Sequence, residues 1–189
     1  MSTPESCLHM FVKQSVKVLQ QGGIIAYPTE YCFGLGCDPR DRQAVERLLQ
    51  IKQRKVEQGV ILIAGDSNQV SHYADLEQLV SKHEILASWP GPNTWLLPAH
   101  ASVPDYIRGQ HETIAMRIPD HQFCLALLNE FAHPIVSTSA NRSGQPEHLV
   151  TCSVVADMGE DCDLIVDLPV GGATRASTIR DAITGSTLR

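Results

Sequence analysis

The sequence predicts an α/β domain built on a twisted, mixed and largely parallel sheet with helices on its faces. Two observations carry that prediction. Short apolar runs bracketed by glycine or proline alternate with segments whose apolar residues recur at helical spacing. Hydrophobic residues make up 43% of the 189, enough for a sizeable core. No repeat, low-complexity tract or linker divides the chain, so residues 1–189 are read as one domain.

Thr3 and Pro4 open the first helix, with Leu8, Phe11, Val12, Val18 and Leu19 at helical spacing, and Gly22-Gly23 stops it. IIAYP, closed by Pro28, is a short buried strand. Asp41 caps a second helix, DRQAVERLLQIKQR, whose stripe is Val45, Leu48 and Leu49. GVILIAG is a continuous apolar run between glycines, the signature of a fully buried strand. LEQLVSKHEILASW reads as a helix, WPGPNTWLLPA as a Pro/Gly loop entering a strand, and TIAMRI as another strand. DHQFCLALLNEFA is a helix capped by Asp120. PIVSTSA is a strand, CSVVADMG a short helix, DLIVDL a strand, and STIRDA a last strand after Gly171-Gly172.

A formal net charge of −6 argues against broad electrostatic coating of nucleic acid, although a local basic cleft remains compatible with it. The six cysteines form no C-x-x-C pair, and several sit in apolar runs, as reduced core thiols of a cytoplasmic protein do. The N-terminus lacks the basic start and apolar run of a signal peptide, and no stretch approaches the length of a membrane span. The eight histidines form no H-x-x-x-H pair, Ser139 lacks a nucleophile-elbow context, and there is no Walker-type phosphate loop.

In an open α/β sheet ligands lie beyond the carboxyl ends of strands, and three segments offer polar residues there. In YPTEYCFGLG, Thr29 and Glu30 follow a proline-fixed turn, and Gly34 and Gly36 either admit a ligand or simply pack. In KQR, Lys52 and Arg54 either complement a helix dipole or, with Lys55, supply the point charge and planar fork that a polyphosphate needs. In STSAN, Ser137 to Asn141, hydroxyls and a carboxamide make an anion cradle or an ordinary polar turn. Trp89 and Trp95 flank a Pro/Gly turn, where base stacking and core packing are both open.

Together the segments GGIIAYPTEYCFGLGCDP, LLQIKQR, GVILIA, WPGPNTWLLPA, IAMRIPDH, PIVSTSANRSG and STIRD resemble, in that order, the YrdC-like domain family in its short bacterial form. The resemblance runs from about Gly22 to Arg189. It implies a nucleotidyltransferase that converts L-threonine, bicarbonate and ATP into threonylcarbamoyl-adenylate and pyrophosphate. The group then passes in a transient handover to the tRNA threonylcarbamoyltransferase complex, for modification beside the anticodon. The resemblance also implies a concave, positive cleft in which the K-x-R pair, Lys52 and Arg54, is catalytic. Lys52, Arg54, Thr113, Ser139, Asn141 and Arg189 would bind ATP; Thr29, Tyr31, Arg117, Ser137 and Ser177 would bind threonine. Mg²⁺ is expected with the nucleotide, with no metal bound by the protein itself. Three features depart from the family pattern: Tyr31 replaces a frequent threonine, Lys55 a frequent proline, and Gln58 and Ile63 stand where longer relatives carry histidine or asparagine. The competing reading is a module that binds RNA weakly in the same cleft without catalysis.

Overall fold

The computed structural model describes residues 4–189; Thr3 lies outside the described residues. The chain runs α1 (Pro4–Gln20), β1 (Ile25–Pro28), β2 (Phe33–Gly36), α2 (Arg42–Ile51), β3 (Ile61–Ile63), α3 (Ser67–Val70), α4 (Lys82–Ala87), β4 (Asn93–Pro98) and α5 (Asp105–Arg108). It continues β5 (Thr113–Arg117), α6 (Gln122–Phe131), β6 (Ile135–Val136), β7 (Thr138–Ser139), α7 (Thr151–Met158), β8 (Leu164–Ile165) and β9 (Thr178–Asp181). No helix among the described residues is long and apolar enough to cross a membrane.

The strands form two mixed sheets, ordered β7-β2-β1-β8 and β6-β3-β5-β4-β9. The α/β class and the mixed sheet hold, but the expectation of a largely parallel one gives way. Among the described residues only β1–β8, β3–β5 and β4–β9 pair in parallel; the other four strand pairings are antiparallel. The reason is β2, a four-residue strand hidden in what the sequence offered as a glycine turn. Residues 29–32 reverse the chain, with the Thr29 N–H and hydroxyl both donating to the Cys32 carbonyl, and β2 folds back on β1.

PIVSTSA also divides. Ile135 and Val136 pair with β3 in one sheet, while Thr138 and Ser139 pair with β2 in the other. Ser137 is the crossing point, its N–H donating 2.8 Å to the Ile61 carbonyl. Its hydroxyls therefore lie where the two sheets meet.

Two other boundaries move. The helix expected over LEQLVSKHEILASW forms only at Lys82–Ala87, with turns before it. Helix α6 starts after His121, which makes no side-chain cap, and Asp120 is used otherwise, its N–H donating to Glu30. Asp41 caps α2 as expected, its carboxylate accepting from Gln43 N (2.9 Å) and Ala44 N (3.2 Å), worth about 1 kcal/mol.

Helix α1 packs against α6, and the apolar faces of both close over Ile25, Tyr27, Ile63, Ile135 and Val166 from the two sheets. A second core gathers α2 with Phe33, Leu35, Leu62, Trp95 and Met116. Trp89 and Trp95 belong to it; their indole N–H groups donate to the Asn93 carbonyl and the Ser88 hydroxyl, so both pack in the interior. Among the cysteines, Cys32, Cys37 and Cys124 are buried, Cys7 and Cys162 intermediate, and Cys152 exposed.

Candidate active site

A cavity of about 210 Å³ lies where the two sheets meet. The β1–β2 turn gives it Thr29, Glu30, Tyr31 and Cys32, the end of β5 gives Arg117, and the β6–β7 crossing gives Ser137 and Ser139. Arg175, Ser177 and Arg189 close it from the C-terminal segment, and Arg54 from the end of α2. All five residues predicted to bind threonine are brought together here. A second cavity of about 300 Å³ shares Arg54 and Arg189 with the first and contains Thr113, so four of the six residues predicted to bind ATP, Arg54, Thr113, Ser139 and Arg189, divide between two neighbouring hollows. A larger hollow, about 1070 Å³, runs along α2 and α5 and touches the first through Arg54 alone.

Lys52 and Asn141 line neither cavity. Helix α2 ends at Ile51, and Gln53 takes a left-handed conformation at φ 49°, which separates the two cations of the K-x-R pair. Lys52 turns inward and is buried, its ammonium donating to Ser139 O (2.7 Å), Asn141 O (2.5 Å) and Asn141 Oδ1 (2.6 Å). Asn141 Oδ1 also accepts from the Ser139 hydroxyl at 2.7 Å, and its amide donates to the Gln145 carbonyl. The ammonium has three protons and three acceptors, so this pair is a strut holding the loop after β7. A direct contact from Lys52 or Asn141 to phosphate, as the resemblance implied, would require breaking part of that strut. Burial, reinforced by the nearby charge of Arg54, pushes the Lys52 ammonium down to about 8.

Arg54 turns outward. Among the described residues its only hydrogen bond is a long 3.4 Å contact to the Gln58 carbonyl, and its buried Nε has no partner there. Burial lowers its pKa, yet a guanidinium stays charged throughout the neutral range. Arg189 is anchored through Nε (3.2 Å) and Nη2 (3.1 Å) to the Ser177 carbonyl, and the Ser177 hydroxyl meets Thr94 Oγ1 at 2.8 Å.

Tyr27, Glu147 and Arg175 escaped the sequence analysis as functional residues, and Glu30 was named there as a polar residue at a strand end without a role. Arg175 lies two before Ser177. Arg117 donates from Nη1 to Glu30 Oε1 at 2.7 Å, with both side chains 10% exposed. Tyr27 is fully buried and donates its hydroxyl to Ser137 Oγ at 2.7 Å, which leaves the serine proton free to point into the cavity. Burial drives the phenol pKa well up, so Tyr27 stays a donor. The glycines of FGLG make room for it: a Cβ at Gly36 would lie 2.9 Å from the Tyr27 ring and 2.8 Å from the Val136 carbonyl. Gly36 thus serves packing, while Gly34 both packs on Tyr27 and borders the cavity. The Cys32 thiol, pushed by burial up to about 11, is protonated at neutral pH and a poor nucleophile.

The arrangement sets guanidinium forks and hydroxyls around a small hollow, suited to a carboxylate beside a polyphosphate. The family model for Sua5, YciO and YrdC, described as telomere recombination, matches residues 17–189. A threonylcarbamoyl-AMP synthase of Pseudoalteromonas translucida is 44% identical over 180 residues, 94% of this chain and 96% of that protein. One of Nitrosococcus oceani is 41% identical over 97% of this chain and all of its own. The structure of P. abyssi Sua5 complexed with L-threonine superposes with a TM-score of 0.82 at 31% identity, covering 90% of this chain and 50% of that one, so this chain spans about half of that protein. E. coli YciO gives a TM-score of 0.83 at 25% identity, covering 95% and 87%. With a matched model across nearly its whole length and relatives of this identity, the chain belongs to the Sua5–YciO–YrdC family.

Proposed function

We propose that this protein is a threonylcarbamoyl-AMP synthase, a nucleotidyltransferase acting on L-threonine, bicarbonate and ATP. The observation that carries the reading is the convergence of Arg54, Arg117, Ser137, Ser139, Ser177 and Arg189 on one cavity. The 44% identity to synthases along almost the entire chain supports it over a non-catalytic RNA module.

In this reading the Arg117 fork takes the threonine carboxylate and Ser137 donates to the substrate, with Thr29, Tyr31 and Ser177 completing the wall. The amine condenses with bicarbonate, releasing water and forming a carbamate. A carbamate oxygen attacks the α-phosphorus of ATP, the bond to the β-phosphate bridge breaks, and pyrophosphate leaves. Arg54, Arg189 and Ser139 face the phosphates, and Thr113 borders the adjoining hollow that extends the nucleotide site. Lys52 and Asn141 act at one remove by holding Ser139. Mg²⁺ bound to the nucleotide would neutralise phosphate charge, and Glu147, on the cavity wall with no hydrogen bond to a described residue, is the carboxylate that would face it. The product passes to a tRNA-modifying transferase.

Pyrophosphate release from ATP, with threonine and bicarbonate omitted in turn, tests this directly. Release that requires both, with a labile threonylcarbamoyl-adenylate formed, is expected. Folded protein that releases none and binds RNA would overturn it.

The depressed Lys52 pKa sets a pH limit. Below about 8 the ammonium fills its three acceptors. Above that pH an amine has two protons for three acceptors, so kcat/KM should fall as pH rises through about 8. Stability moves the opposite way. An unfolded lysine keeps its proton to about 10.4, so between these values the unfolded chain binds more protons and this group favours folding as pH rises. Arg54→Ala removes a like charge and should shift the alkaline limb upward. A pH profile with no inflection near 8 in the wild type counts against the assignment.

A further inference from the structure

Four arginines line the cavity, and they differ in one respect. Arg117 is paired with a carboxylate, whereas Arg54, Arg175 and Arg189 have no carboxylate partner among the described residues. Glu30, which makes that pair, is held firmly: Oε1 accepts from both Arg117 Nη1 (2.7 Å) and Asp120 N (2.9 Å). Its Oε2 is buried and has no hydrogen-bond partner, so the carboxylate stands on the wall directly beside the Arg117 guanidinium.

Such a pair presents a dipole rather than a free positive charge. A polyphosphate carries several negative charges and is drawn to unpaired cations. Beside Glu30 it would meet repulsion at short range in a poorly solvated site. A zwitterionic amino acid brings one carboxylate for the Arg117 fork and its own cation, and suits a wall bearing both signs.

Building on the threonine-subsite reading above, we propose that Glu30 is a specificity residue that divides the cleft. It reserves the Arg117 end for an amino-acid carboxylate and confines polyphosphate to Arg54, Arg175 and Arg189. Without it, Arg117 would be a fourth free cation and the two anions would compete.

Calorimetric titration of threonine into the full chain, with and without excess inorganic pyrophosphate, tests this. In the wild type, pyrophosphate leaves threonine affinity unchanged. In Glu30→Gln, pyrophosphate becomes a competitor of threonine and binds about tenfold more tightly. Glu30→Asp retains the charge and behaves as the wild type. A purely structural role would lower melting temperature and threonine affinity without creating competition. A folded Glu30→Gln variant showing no competition overturns the proposal, and so does competition in the wild type, which decides the matter if the variant does not fold. A wild-type chain that binds no threonine would remove the substrate reading and this inference with it, whereas threonine binding with pyrophosphate competition would remove this inference alone.

Discussion

Lys52→Ala should lose both stability and turnover. The substitution strips the partner from the Asn141 carbonyl, while Ser139 O keeps the Asn141 N–H (3.1 Å) and Asn141 Oδ1 keeps the Ser139 hydroxyl. The unpartnered carbonyl costs about 1–3 kcal/mol. Removing a desolvated ammonium offsets part of this, leaving a net loss of about 1 kcal/mol, or roughly 2–4 °C of melting temperature for a chain of this size. Turnover should drop about 10²-fold, because Ser139 is no longer held and a displacement of about 1 Å suffices for that loss. Lys52→Arg should rescue little, since a planar fork cannot meet three acceptors gathered around one nitrogen. Thermal melting and pyrophosphate release on the same preparations check the pair of effects. A variant that melts and turns over like the wild type would show the strut to be dispensable.

Arg54→Ala should separate what Lys52→Ala combines. The resemblance makes both residues catalytic; the buried strut gives Lys52 a structural part that Arg54 lacks. Its one hydrogen bond to a described residue is long and exposed and its Nε has no partner among them, so stability should change by less than about 0.5 kcal/mol. Turnover should fall about 10²–10³-fold, the usual cost of removing a donor aimed at charge that develops in the transition state. Arg54→Lys should recover part of it, as a point charge without the fork. Full turnover from Arg54→Ala would remove this residue from the phosphate site.

The chain's periodicities carried most of the fold because burial follows them directly. Helices α1, α2 and α6 and strands β1, β3 and β5 were legible for that reason. Strand β2 was not, since FGLG reads as a turn until the Tyr27 ring beneath it explains both glycines. Nor was the break at Ser137, because PIVSTSA looks continuous and only tertiary pairing assigns its halves to different sheets. At the candidate site, ordered motifs pointed to Arg54, Arg117, Ser137 and Ser139. The Glu30 pairing stayed hidden because its partner is 87 residues away. The inward turn of Lys52 stayed hidden because spacing in K-x-R cannot disclose a left-handed residue between the two cations.

The crossing at Ser137 ties substrate occupancy to the breathing of the whole molecule. One hollow has walls from both sheets, so fraying either sheet opens it. A ligand at a hundred times its dissociation constant would add about 2.7 kcal/mol against every opening that abolishes the site. That protection should spread over amides in both sheets, and the two halves of the fold would slow their hydrogen exchange together, although only a few side chains touch the ligand.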